Sequence, residues 1–156
     1  METIRLTGDD WRLLRDVRLA ALADAPYAYG SSLAIEEAFG EAEWRRRIHP
    51  GALWTVVRHE DETVGLVGAY VPDDTPMLVA MWVRPGARGL GAGDALITDV
   101  LRWAGENRWS RVVLRVADGN DAARKLFLRH GFEPTGVSAP LESDPRVRTE
   151  LLARAI

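Results

Sequence analysis

Apolar positions along the chain recur first at helical spacing, then at strand spacing, and finally alternate between the two. Thr3 to Leu6 reads as a short strand, and Thr7 with Asp10 three residues later signals the start of a helix running to about Asp24. Trp11, Leu14, Val17 and Leu22 form its core-facing stripe, which places Arg12, Arg15 and Arg18 on the other faces. Pro26 ends the pattern. Residues 26–40, with Pro26, Tyr27, Tyr29, Gly30, Ser31 and Ser32 ahead of Glu36 and Glu37, are expected to be a loop and a short helix. A second short helix spans Glu41 to Ile48, closed by Pro50-Gly51, with Arg45 to Arg47 mainly in solvent.

From Ala52 the period changes. Leu53 to Arg58, Val64 to Val71 and Met77 to Val83 are apolar or β-branched runs separated by Glu60-Asp61-Glu62 and Pro72-Asp73-Asp74, which predicts a three-stranded antiparallel meander. The third run leads through Arg84-Pro85-Gly86-Ala87-Arg88 into a helix containing Leu96, Val100, Leu101 and Trp103 that ends near Asn107. A strand from Arg111 to Val116 follows. Asn120-Asp121 then opens a helix with Ala123, Leu126, Phe127 and His130 on its apolar side and Gly131 at its C-terminal cap. Phe132 to Val137 and Val147 to Ile156 are the closing strands. This order predicts an α/β sandwich with a mixed sheet, organised as a single domain over residues 1–156.

Composition narrows the function classes. A formal net charge of −3 argues against nucleic acid or an anionic membrane surface as partner. The absence of cysteine excludes disulfides, thiolate metal sites and a cysteine nucleophile, and agrees with a reducing, cytoplasmic location. Met1 to Leu6 lacks the layout of a signal peptide, and no apolar run approaches a membrane span. His49, His59 and His130 are dispersed without metal-ligand spacing, so no metal is expected. The six tryptophans are expected in the core and in pocket walls.

The chemistry concentrates in Arg88-Gly89-Leu90-Gly91-Ala92-Gly93. Glycines at 89, 91 and 93 let the backbone turn sharply against a bulky anion, and the amides of Leu90 to Ala95 would face it from a helix N-terminus, with charge added by Arg84 and Arg88. A nucleotide triphosphate loop is excluded because its Gly-Lys-Ser/Thr ending is missing. A dinucleotide fingerprint fails because Asp94 stands where its third glycine belongs, and because the loop follows a meander.

The segment resembles the pyrophosphate loop of the Gcn5-related N-acetyltransferases, which reads Arg or Gln, two residues, Gly, one residue, Gly or Ala; Arg88, Gly91 and Gly93 match it. Met81-Trp82-Val83-Arg84-Pro85 before the loop and Asp94-Ala95-Leu96-Ile97 after it also resemble the family. A second motif is matched by Asn120, Ala123, Leu126, Phe127, Gly131 and Phe132 at the family's spacing. The resemblance implies a mostly antiparallel sheet of about six to seven strands flanked by about four helices, splayed between the fourth and fifth strands. It also implies acetyl-CoA in that splay, an amine acceptor and a possible homodimer. The residues implied for the cosubstrate are Trp82, Val83, Arg88, Gly89, Leu90, Gly91, Ala92, Gly93, Asp94, Ala95, Asn120, Ala123, Arg124 and Phe127. An oxyanion donor is expected from the main chain around Trp82 or Val83, and Asn120, a preferred N-cap residue, is expected near the acetyl end.

Two departures stand out. Phe127 replaces a tyrosine that in many relatives protonates the leaving thiolate, and Met77 to Trp82 offers no glutamate as base. Phe127 is therefore expected as a core aromatic beside the cosubstrate. Glu36, with Glu37 beside it, is the candidate carboxylate, either attracting a cationic amine or acting through water, or else an ordinary exposed pair on a short helix. Tyr27 and Tyr29 are candidates for lining the acceptor pocket or for packing. That pocket is expected from residues 26–40, 72–76 and 138–147, whose acidic members Glu36, Glu37, Asp73, Asp74, Glu142 and Asp144 favour a cationic acceptor. The function expected is N-acetylation of a primary amine of a small molecule, with a protein N-terminus or lysine, or non-catalytic acyl-CoA sensing, as alternatives.

Overall fold

Seven strands form one sheet in the order β1-β2-β3-β4-β5-β7-β6 in the computed structural model, which describes residues 1–26 and 31–156. β1 (Glu2–Arg5) and a 3-10 turn (Gly8–Asp10) lead into α1 (Trp11–Asp24). The capping signal operates one turn early, with the Thr7 amide donating to Asp10 Oδ2 at 2.7 Å around the 3-10 turn. α2 (Leu33–Glu37) and α3 (Glu41–Arg47) follow, then the antiparallel meander β2 (Leu53–His59), β3 (Glu62–Tyr70) and β4 (Met77–Val83). A second 3-10 turn (Pro85–Ala87) precedes α4 (Ala92–Glu106). β5 (Arg111–Ala117), α5 (Asp121–Arg129), β6 (Glu133–Leu141) and β7 (Asp144–Ala155) complete the chain.

Apolar side chains cover both faces of the sheet. On one face Val57, Leu96, Ile97, Val100, Val112, Leu114 and Leu152 pack between the strands and α4, and Phe127 of α5 joins them. On the other, Leu14, Leu22, Trp44, Val56, Leu66 and Trp82 pack beneath α1 and α3. β2 and β3 serve both clusters, which explains why Val64 to Ala69 is a continuous buried run. All pairings are antiparallel except β4 with β5, so the mixed, mostly antiparallel sheet is as expected.

Several expectations need correction. Arg18, assigned to the solvent side of α1, is buried, because its guanidinium finds a buried carboxylate. Arg47 is also largely withdrawn from solvent, its side chain 26% exposed. Among the described residues there are five α-helices, and the five-residue α2 is the short helix expected within residues 26–40. Residues 138–147, expected as a loop, mostly belong to the arms of a tight β6–β7 hairpin, since Leu141 pairs with Asp144 and Ser138 with Glu150. Tyr27 and Tyr29 lie outside the described residues. Among the described residues no helix is long and apolar enough to cross a membrane.

Candidate active site

β4 carries the irregularity that opens the sheet. Leu66 opposes Trp82 but Gly68 opposes Val79, so β4 has one residue more than β3 over this stretch, and Ala80 takes φ +58°. The bulge thus lies just before Trp82 and Val83. β4 and β5 meet at a single register pair, Met77 with Val113, where the Val113 amide donates to the Pro76 carbonyl at 3.0 Å. Beyond it the strands part. Two clefts border this splay, of about 600 and 690 Å³, and both are lined by Leu78, Val79, Ala80, Arg115 and Ala117.

The first cleft contains the glycine loop. Gly89 and Gly91 take φ +80° and +91°, and an added Cβ at either would meet nothing within 4 Å, so the backbone angle rather than space is what favours glycine there. Gly91 is the N-cap of the 15-residue α4. The amides of Gly89 to Asp94 have no hydrogen-bond partner among the described residues. The positive end of the helix and these free donors together form a cradle for an anion. An open cradle of backbone donors fits a pyrophosphate, and Arg88, next to it in the chain, lines the same cleft. Gly93 acts through its small size instead, because a Cβ there would stand 2.8 Å from Leu126 Cδ2; the missing side chain lets α5 approach α4 along the cleft.

Trp82, Val83, Arg88, Gly89, Gly91, Ala92, Gly93, Asp94, Asn120, Ala123 and Phe127 all line this cleft. Leu90, Ala95 and Arg124 do not. Leu90 points to solvent, 53% exposed. The Ala95 amide already donates to the Gly91 carbonyl at 3.1 Å in the first helical turn, so the free amides stop at Asp94. Arg124 turns toward β7, where its Nε donates to Glu150 Oε2 at 2.9 Å. Arg84 likewise turns away, donating to Glu62 at 3.0 Å.

Apart from Arg115, charge in the cleft is held in small local pairs. Arg88 donates to Asp24 Oδ2 at 3.0 Å and to the Val83 carbonyl at 3.0 Å, while the same Asp24 oxygen accepts from Trp82 Nε1 at 2.9 Å. The end of α1 is thereby tied to the glycine loop. Asp94, at the first turn of α4, contacts Arg129 at 2.6 Å and His130 Nε2 at 2.7 Å. Hydrogen bonds from Arg129 and then His130 outweigh burial and hold its carboxyl below the usual range, so it stays ionised but is matched by α5. Asn120 is the residue before α5, yet its side chain makes no cap bond, which leaves the carboxamide available to a ligand. Phe127 is 5% exposed and packs edge-on against Phe132, with ring centroids 5.9 Å apart. Among the described residues no Ser, Thr or Tyr lines this cleft, so none there supplies a hydroxyl in place of the missing tyrosine.

The second cleft lies on the α1–α3 side. Glu36 lines it but is fully buried, accepting from Arg18 Nε and a terminal nitrogen at 3.0 Å each and from Arg47 at 2.8 Å. Burial pushes this carboxyl up, but the hydrogen bond and charge of Arg18, with Ser31 and Arg47, hold it below the ordinary carboxylate range. Such a carboxylate is a poor proton acceptor, and its charge is already neutralised. Of the other acidic residues expected here only Glu142 reaches the lining; Glu37, Asp73 and Asp74 do not, and Asp144 pairs with Arg146 at 3.0 Å. Trp54 forms part of the wall, its Nε1 donating to the Arg47 carbonyl at 2.9 Å.

Sequence reasoning missed the arginines of this cleft. Arg18 was legible in principle, since it lies four residues after Leu14 and three before Ala21, inside the apolar stripe. Arg115 interrupts the apolar run Val112 to Val116, which marks a position facing away from that core.

The sequence pattern of the acetyltransferase (GNAT) family matches residues 15–132. Mycothiol acetyltransferase of Beutenbergia cavernae is 39% identical over 97 residues, which is 58% of this chain and 31% of that protein. N-acetyltransferase 8B of Homo sapiens is 33% identical over 94 residues, or 56% of this chain and 41% of that protein. The matched segment thus spans less than half the length of either relative. The crystal structure of ribosomal-protein-alanine N-acetyltransferase from Brucella melitensis superposes over 100% of both chains with a TM-score of 0.76 at 19% identity, a likeness of fold. With the loop, the second motif and the splay in their places, the chain belongs to the acetyltransferase (GNAT) family.

Proposed function

We propose that this protein transfers the acetyl group of acetyl-CoA to a primary amine of a small molecule. The observation that carries this reading is the pair of clefts meeting at the β4–β5 splay, one with a row of unpartnered amides and the other a half-open space of about 690 Å³. That volume suits a small ligand. Bound acetyl-CoA supplies the activated acyl group.

The chain's own residues then position and polarise. The amides of Gly89 to Asp94 and the Arg88 guanidinium hold the pyrophosphate, with α4 adding the positive end of its dipole. Asn120 directs its free carboxamide to the pantetheine or acetyl end, and Phe127 packs beside it. The main chain at the Ala80 bulge and through Val83 supplies the oxyanion donor, fixed in advance by the distorted strand. No carboxylate lies on β4, so the amine loses its proton to water, and the departing thiolate gains one from water. Proximity and oxyanion stabilisation carry most of the acceleration.

The lining of the cofactor cleft holds no hydroxyl among the described residues, which favours one second reading, an acyl-CoA sensor without turnover. Calorimetry with acetyl-CoA, followed by thiol release across a panel of amines, separates the two. Gly91→Glu places a carboxylate in the anion cradle and is expected to abolish binding; unchanged affinity would remove the assignment of residues 89–94.

A further inference from the structure

We infer that the acceptor amine also carries an anionic oxyacid group, a carboxylate or phosphate, that Arg115 binds; this rests on the acetyltransferase reading. In β5 the side chains of Val112, Leu114 and Val116 enter the core beneath α4, so by alternation Arg115 projects from the opposite face, where the acceptor cleft lies. It is exposed, lines the cleft, and has no hydrogen bond or ion pair among the described residues. The cleft's other charges do not neutralise it. Glu36 is consumed by Arg18 and Arg47, leaving Glu142, exposed at the hairpin tip, as the remaining carboxylate against Arg115. His49 adds a donor: its Nδ1 accepts from the Gly51 amide at 3.2 Å, which leaves the proton of the neutral ring on Nε2.

Three guanidiniums and two carboxylates line this space, so its free valence is cationic. A polyamine or aminoglycoside would place positive charge against an unpaired arginine. An amine with an oxyacid group would instead give Arg115 a partner, and the planar fork suits both carboxylate and phosphate. Arg115 also borders the cofactor cleft, so an anion it holds lies beside the splay where the amine must arrive.

The test measures thiol release by the full chain with acetyl-CoA and matched acceptors. Amino acids are compared with their carboxamides, aminoethyl phosphate with ethanolamine, and spermidine and an aminoglycoside represent acceptors without an anion. The oxyacid member of a pair is expected to win by about tenfold in kcat/KM, and the two pairs distinguish carboxylate from phosphate. Arg115→Gln is expected to raise the acceptor KM about tenfold with kcat and the acetyl-CoA Kd little changed, and Arg115→Lys to recover part of the loss. A best acceptor without an anion, an unchanged KM in Arg115→Gln, or a defect confined to acetyl-CoA affinity would each overturn the inference while leaving acetyl transfer intact. Failure to bind acetyl-CoA, or binding without thiol release from any amine, would overturn the enzyme reading and this inference with it.

Discussion

Glu36→Gln tests whether the buried carboxylate is structural or reacts. The substitution keeps the shape of the side chain but removes the counter-charge of Arg18 and Arg47, whose nitrogens lie 2.8 to 3.0 Å from its oxygens. Removing one partner of a buried ion pair costs about 3–5 kcal/mol. The Arg47 side chain is 26% exposed and the group borders a cleft, so water recovers part of the loss. The expected cost is about 3 kcal/mol, a fall in Tm of about 6–12 °C for a chain of this size. The folded carboxyl is held below its ordinary range, so its stabilisation is complete above the unfolded value of about 4.3 and disappears as pH falls through the folded one. Thermal melts of both proteins from pH 7 to 3 should therefore show a full gap at neutrality that narrows in acid. A variant that melts like the parent at pH 7 but no longer releases thiol would refute the structural role and make Glu36 a reacting group. A gap that has not begun to narrow as pH falls below the unfolded value of about 4.3 would refute its ionic origin.

Phe127→Tyr is expected to fold with Tm within a few degrees of the parent and to raise kcat if thiolate protonation limits the rate; a collapse of Tm would show that the ring's outer edge is enclosed. Asn120→Ala should lower stability by less than about 0.5 kcal/mol, because no cap bond is lost, while weakening acetyl-CoA binding or turnover. A stability loss alone, without any catalytic effect, would restore the capping role. Gly65→Ala should cost about 1–3 kcal/mol in denaturant unfolding, since its Cβ would stand 2.9 Å from the Trp82 carbonyl oxygen and push β4 beside the splay. A neutral result would show that β4 yields freely there.

The loop and its helix were legible because their requirements are local. Positive φ at Gly89 and Gly91 and a helix beginning at Ala92 follow from residues adjacent in sequence, and so does β4 from Met77 to Val83. What escaped was set by partners distant in the chain. Arg18 falls within the apolar stripe of α1, but the carboxylate that allows its burial, Glu36, lies eighteen positions away. Arg124 and Ala95 fit the cosubstrate motif by position, but a carboxylate on β7 and a helical carbonyl claim their donors. The acidic residues that suggested a cationic acceptor were counted by segment, and only their spatial placement reveals that one is neutralised and that four do not line the cleft. The bulge at Ala80 has no glycine or proline to announce it, so the strand run alone did not place it.

The single register pair between β4 and β5 also divides the sheet mechanically. β1 to β4 and β5 to β7 are two ladders joined at one rung, Met77 with Val113, and bridged across one face by α4. Their facing edges leave main-chain groups that pair with no neighbouring strand, so these amides should exchange with deuterium faster than those within either ladder. A long ligand carrying its own amides could act as a temporary rung, stitching the halves together and slowing that exchange. Occupancy would then be readable as the stiffness of a seam, without any chemical turnover.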